Sequence, residues 1–138
     1  MKKVFADAAY WIAVLSSKDQ WSNSAKLARE SLGDAGLVTT DEVLAELLTF
    51  ANNRQKMGQQ AAKLVRSILT NPRIEVKPQS RNSFLRGLVL YESRPDKDYS
   101  LTDCISMNTM KATGVTDVLT NDHHFAQEGF TILMPNLK

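Results

Sequence analysis

Five short apolar segments, set apart by helix-length stretches, constrain this chain more than any other feature. Val4-Phe5-Ala6, Leu37-Val38-Thr39, Ile74-Glu75-Val76, Val118-Leu119-Thr120 and residues 131–134 have the length and composition of strands. The intervening stretches predict helices from Ala8 to Ser16, Asp19 to Leu32, the Thr39 region to about Asn53, Gly58 to Leu69, Ser80 to Ser93, and Ser100 to Gly114. Gly33 and Gly36 stop the second of these, and Pro72 follows the fourth. Thr39 and Glu42 have capping-box spacing, and Ser80 can cap the helix that follows it. Strands that alternate with helices favour parallel pairing, with helices over both faces of the sheet. The expected class is therefore α/β, a three-layer α/β/α fold around a central parallel sheet of about five strands. No repeat, low-complexity tract or long linker divides the 138 residues, so residues 1–138 are expected to form a single domain.

Composition narrows the classes. Cys104 is the one cysteine, which excludes an internal disulfide and a thiolate zinc site. It fits a reducing compartment, and the expected location is cytoplasmic. The longest apolar run, Ala8 to Leu15, is too short to span a bilayer, so no membrane association is expected. There is no P-loop and no GxGxxG. The net charge of +2 is unevenly spread, with −2 over residues 1–53, +7 over residues 54–97 and −3 over residues 98–138. A basic stretch between acidic flanks suits a protein that attracts phosphate with one part and binds a cation with another. A solvated helical face rich in Lys and Arg has the same composition. If the basic stretch is an RNA footprint, affinity should weaken steeply as salt rises.

The acids fall at informative places. Asp7 directly follows the first predicted strand, and Asp122 follows the fourth by one residue. Both belong at the carboxyl edge of the sheet, where open α/β sheets gather their sites. Asp103 stands in the first turn of a helix, with Met107 and Met110 on its own face, so it leads an apolar stripe and points inward or into a cleft. The next helix to consider carries a stripe of Val43, Leu44, Leu47, Leu48 and Ala51. Glu46 lies on the flank of that stripe and Glu42 nearly opposite it, as a surface acid would. Each acid also has an ordinary reading. Asp7 caps a helix, Asp122 makes a turn, and Asp103 favours a helix dipole. His123 and His124 could touch phosphate or take part in proton transfer, but adjacent loop histidines read first as polar turn residues, and no i, i+4 partner makes a zinc pair. Met107 and Met110 read as core, and Trp11 as either core or a homodimer contact.

Four segments carry a family resemblance. They are Val4-Phe5-Ala6-Asp7, Thr39-Thr40-Asp41-Glu42-Val43-Leu44-Ala45-Glu46-Leu47-Leu48, Ser100-Leu101-Thr102-Asp103-Cys104, and Leu119-Thr120-Asn121-Asp122-His123-His124-Phe125. In order and over nearly the whole chain, they resemble the signature blocks of the PIN domain, as found in VapC-type toxins of bacterial toxin–antitoxin pairs. The resemblance implies a PIN-like fold in which Asp7, Glu46, Asp103 and Asp122 form an acidic quartet that is both metal-binding and catalytic. Thr120 matches a polar residue that often accompanies the fourth acid. Ala8 and Ala9 depart from the Thr or Ser that often follows the first Asp, and Trp21 stands where a His is frequent.

The implied function is a metal-dependent endoribonuclease, the toxin of a type II pair. It would hydrolyse RNA phosphodiester bonds with metal-activated water. Magnesium or manganese is the expected cofactor, since both prefer carboxylate oxygens and keep several waters. Asp7 and Asp103 are the expected primary ligands, with Glu46 and Asp122 holding a second ion or orienting waters. The implied partners are a structured RNA such as tRNA or ribosomal RNA, a cognate small antitoxin protein, and a second copy of the chain as a homodimer. The alternative from another class is a non-catalytic PIN-like module that binds RNA or protein, although such a module gains nothing from four crowded acids. A structure-specific DNA nuclease would use similar acids but usually carries extra segments to grip a duplex. A phospho-receiver domain is excluded, because Lys77-Pro78 follows the third strand where a phosphoacceptor Asp would stand.

Overall fold

The computed structural model describes residues 2–52, 54 and 56–135. The strands are β1 (Lys3–Ala6), β2 (Gly36–Thr40), β3 (Ile74–Lys77), β4 (Asp117–Leu119) and β5 (Thr131–Ile132). The helices are α1 (Ala8–Leu15), α2 (Ser22–Leu32), α3 (Asp41–Ala51), α4 (Met57–Thr70), α5 (Arg81–Ser93), α6 (Leu101–Thr113) and α7 (His124–Gln127). The strands form one sheet in the order β3-β2-β1-β4-β5, and every pairing is parallel. All residues of β2 are buried, as are Val4, Phe5 and Ala6 of β1. Successive side chains of a strand point to opposite faces, so helices must cover both faces of the sheet.

The topology decides where a site can form. From β1 the chain moves outward through β2 to β3, then returns to the other side of β1 for β4 and β5. The order reverses between β1 and β4, and a crevice opens beyond the carboxyl ends of strands at such a switch point. Ala6 pairs with Leu119 there, and the Asp7 amide donates to the Leu119 carbonyl at 3.2 Å. Asp7 and Thr120 therefore emerge side by side.

Several local expectations differ from the observed elements. Helix α3 is capped by Thr40, whose hydroxyl accepts from the Val43 amide at 3.1 Å. Thr39 is still part of β2, and its buried hydroxyl donates across the sheet to the Ala6 carbonyl at 2.8 Å. The expected end of this helix near Asn53 lies outside the described residues. Helix α2 begins at Ser22 and not at Asp19, because the Asp19 carboxylate accepts from the Trp21 amide at 2.9 Å and holds a turn. Strand β4 ends at Leu119, so Asp122 lies three residues beyond it, and α7 follows where a loop was expected. Leu48 is exposed and leaves the apolar stripe to Val43, Leu44, Leu47 and Ala51.

Other expectations hold. Ser80 caps α5 through a reciprocal box with Ser83. Met107 and Met110 are fully buried. Trp11 is 4% exposed and packs edge-on against Tyr10, so of its two readings the structure realises the core one. No helix among the described residues is long and apolar enough to cross a membrane.

Candidate active site

Four elements deliver the four acids to the switch point. Asp7 leaves β1, Glu46 stands on the second turn of α3, Asp103 on the first turn of α6, and Asp122 on the turn between β4 and α7. Asp7 is buried, and Thr120, itself fully buried, donates a 2.8 Å hydrogen bond to its Oδ2. As the residue preceding α1, Asp7 accepts the Tyr10 and Trp11 amides with its backbone carbonyl, while its side chain makes no capping hydrogen bond. The capping reading thus accounts for its backbone and leaves its carboxylate free for other work.

Asp103 and Asp122 each serve the backbone and the crevice together. The Asp103 Oδ2 accepts from the Ser100 amide at 3.0 Å, closing a capping box. The Asp122 Oδ1 accepts from the His124 amide at 2.9 Å, and the Asp122 amide donates to Thr120. His124 Nδ1 then lies 3.0 Å from Asp122 Oδ1 and 3.7 Å from Asp103 Oδ2. Among the described residues, Asp103, Asp122 and His124 form the group compact enough to share one ion. Asp7 and Glu46 stand outside that tight group but are felt by it. Asp103 thus lies in a compact group with Asp122 and His124 and also interacts electrostatically with Asp7.

The electrostatics are those of crowded, desolvated carboxylates. Burial pushes the Asp7 carboxyl up to about 7, against the opposing pull of the Thr120 hydroxyl and the Ala8 amide, with Asp103 and Glu46 adding repulsion. Glu46 is raised by desolvation first, then by Asp103 and Asp122. Asp103 is raised by desolvation and by Asp122, partly offset by its hydrogen bond from Ser100 and by His124. A hard divalent cation suits this set, because oxygen donors that repel one another gain most from one. The His124 Nδ1 atom is fully buried and makes no hydrogen bond of good geometry, so a nitrogen donor is available beside the oxygens.

Sequence reasoning passed over two contributors, Tyr99 and Glu128, and favoured a turn role for a third, His124. His124 is not an idle turn residue, since a helix of four residues, α7, turns its ring into the crevice. Its doublet with His123 hid which of the two would face inward. Tyr99 packs edge-on against the His124 ring at 5.6 Å and is 4% exposed. Glu128 anchors Tyr99, accepting its hydroxyl at 2.9 Å, together with Arg94 Nε and Nη2 at 3.1 and 2.9 Å and Lys111 at 3.3 Å. Arg94 and the other donors hold the Glu128 carboxyl down to about 2, so it stays ionised. No local pattern marks Glu128, whose partners lie 17 to 34 residues away. The exposures of the α3 acids also reverse expectation. Glu46 is exposed at the mouth of the site, whereas Glu42 is half-buried beside a groove formed with α5 and α6. Burial pushes the Cys104 thiol up to about 11, which leaves it unreactive at neutral pH.

Comparison with known proteins bears on this arrangement. The PIN domain sequence profile matches residues 4–130. No curated protein sequence matches significantly. Among solved structures, VapC20 of Mycobacterium tuberculosis, described as a sarcin-ricin loop cleaving toxin, superposes with a TM-score of 0.83 at 23% identity, over 93% of this chain and 96% of that one. At that identity the likeness concerns the fold.

Proposed function

This chain belongs to the PIN-domain family, and from that premise we propose that it is a divalent-metal-dependent endoribonuclease acting as the toxin of a type II toxin–antitoxin pair. The observation that carries this reading is the convergence of Asp7, Glu46, Asp103 and Asp122 on one crevice, with at least three of their carboxyls raised by burial and mutual repulsion. A folding unit does not need such a cluster, and a module that only binds RNA would be hindered by it, because acids repel phosphate. The same family membership supports one PIN domain over residues 1–138, a small antitoxin that occludes the crevice, and a homodimer. A homodimer must be built without Trp11, which is used in the core. The RNA-cleaving description of VapC20 supports structured RNA as the substrate class.

In this reading Asp103 and Asp122 would hold the cation, with His124 Nδ1 available as a third donor. Asp7 lies deeper, its carboxylate oriented by Thr120, and Glu46 approaches from the open side. When bound, magnesium or manganese would lower the pKa of a water molecule and neutralise the charge that grows on the phosphate. The chain's own part is placement. Thr120 fixes which oxygen of Asp7 faces the crevice, Ser100 orients Asp103, and the Glu128–Tyr99 pair holds the His124 ring against Asp122. Burial of Asp7 lowers the dielectric around its carboxylate, which strengthens its hydrogen bond from Thr120.

The chemistry predicts the ends of the products. Water as the nucleophile leaves 5′-phosphate and 3′-hydroxyl termini, whereas attack by the ribose 2′-hydroxyl leaves a cyclic 2′,3′-phosphate. Mapping the ends of RNA cut by the purified chain should find 5′-phosphates. Cyclic phosphates from the purified chain would rule this mechanism out.

A further inference from the structure

Beside the acidic crevice lies a groove of about 730 Å³ between the start of α3 and the facing helices α5 and α6. Its lining combines three kinds of group. Phe84 offers a large exposed ring, 40% accessible, on the first turn of α5. The Arg81 guanidinium sits over that ring, 5.4 Å from its centroid. Glu42, Gln79 and Thr102 add hydrogen-bonding side chains around it. An adjoining hollow that shares Ile105 is lined by Lys77 and Arg86, two further cations of the +7 stretch over residues 54–97.

The groove borders the site on two elements. Glu42 precedes Glu46 by four residues of α3, about 6 Å along the axis and on neighbouring positions of the helix surface. Thr102 directly precedes Asp103. The core does not require Phe84, since Gly87 and Leu90 supply the buried face of α5, and among the large apolar side chains that this helix leaves exposed, with Leu85, Val89 and Tyr91, Phe84 is the one that lines the groove under a guanidinium. The contact between α5 and α6 is indeed so close at Gly87 that an added Cβ would meet Ile105 at 2.6 Å, which fixes the walls of the groove.

We propose that this groove holds an unpaired nucleobase of the RNA, stacked on Phe84 beside Arg81, with its edge read by Glu42, Gln79 and Thr102 and the flanking phosphates facing Lys77 and Arg86. The inference rests on the ribonuclease reading and adds to it a specificity subsite next to the point of cleavage. Sequence-specific recognition of RNA works mainly on unstacked bases, which aromatic and guanidinium planes receive and polar side chains then discriminate. Charge complementarity favours RNA over a protein segment here, because Arg81 lines the groove while Arg86 and Lys77, the latter also paired with Glu75, line the adjoining hollow.

Two measurements test the subsite. In a background of Asp103→Asn, which keeps RNA whole, Phe84→Trp places a reporter in the groove. Titration with a short single-stranded oligoribonucleotide in manganese should quench the emission gained over the Asp103→Asn parent. In the otherwise native chain, Phe84→Ala should raise KM for a structured RNA about tenfold, as loss of one stacked base does, with kcat little changed. Phe84→Tyr should restore KM, and Val89→Ala, farther along α5 and outside the groove, should leave it unaltered. If the native chain cuts RNA and either the emission or the KM does not respond, the groove is not a base subsite and a protein segment becomes its better occupant. If the native chain leaves RNA intact in manganese, the ribonuclease reading itself fails and takes the subsite with it.

Discussion

Asp103→Asn should cut RNA at least about a hundredfold more slowly than the parent in manganese, yet melt no lower than the parent in EDTA. The loss of activity follows from removing a carboxylate that the compact Asp103–Asp122–His124 group cannot replace; even indirect supports of a metal site cost about 10- to 100-fold. The stability argument is the more discriminating half. Asp103 closes a capping box with Ser100, and loss of such a cap ordinarily costs about 1 kcal/mol. Asparagine keeps an oxygen that can accept from the Ser100 amide, while the repulsion from Asp122 disappears. A purely structural Asp103 would leave cleavage at the parental rate and raise no melting temperature in EDTA, since asparagine at best keeps the cap and loses the charge that favours the helix dipole. Glu92→Gln, on the exposed side of α5, serves as the neutral control.

The second large effect is on the pH dependence of the metal-free protein. Asp7 has an ordinary carboxylate pKa of 3.8 when unfolded and about 7 when folded. Folding therefore favours its protonated form. Its contribution to stability is complete below the unfolded value and is lost as pH rises through about 7. The ceiling on that loss is about 4 kcal/mol, because each pH unit between the two values is worth about 1.4 kcal/mol, and Glu46 and Asp103 act in the same direction. Glu128 has the opposite sign. Its stabilisation is present above the ordinary glutamate range and is lost only as pH falls through about 2, far from the window that matters. In EDTA, the melting temperature should fall between about pH 4 and about pH 7, and Asp7→Asn should flatten most of that fall. Manganese added at the higher pH should restore stability to the parent by binding only the folded site. A parent whose melting in EDTA is flat or rises over this range would show that the cluster is not strained.

These two variants also mark what a reader of the sequence could and could not see. Strand alternation exposed the parallel sheet, and the carboxyl-edge positions of Asp7 and Asp122 followed from it, because topology alone directs strand ends to a common edge. Thr39 and Thr40 show the limit of local patterns. Two adjacent hydroxyls are equivalent by spacing, and only the carbonyl of Ala6 across the sheet decides that Thr39 bonds the strand and Thr40 caps the helix. Exposure on α3 failed for a related reason. Periodicity fixes which side of a helix a residue occupies, but it does not tell whether α5 and α6 stand over that side, so Glu42 proved more sheltered than Glu46. His124 and Glu128 were not legible, because their roles consist of contacts between α6, α7 and the loop before α6.

The central claim is that these acids form a metal-dependent ribonuclease centre. The most direct test is the cleavage rate of a structured RNA by the purified chain in manganese, in EDTA, and after manganese is returned in excess. Cleavage in manganese that stops in EDTA, returns with the metal and is lost in Asp103→Asn is the predicted result. Cleavage that continues in EDTA, or that survives in Asp103→Asn, would contradict the account.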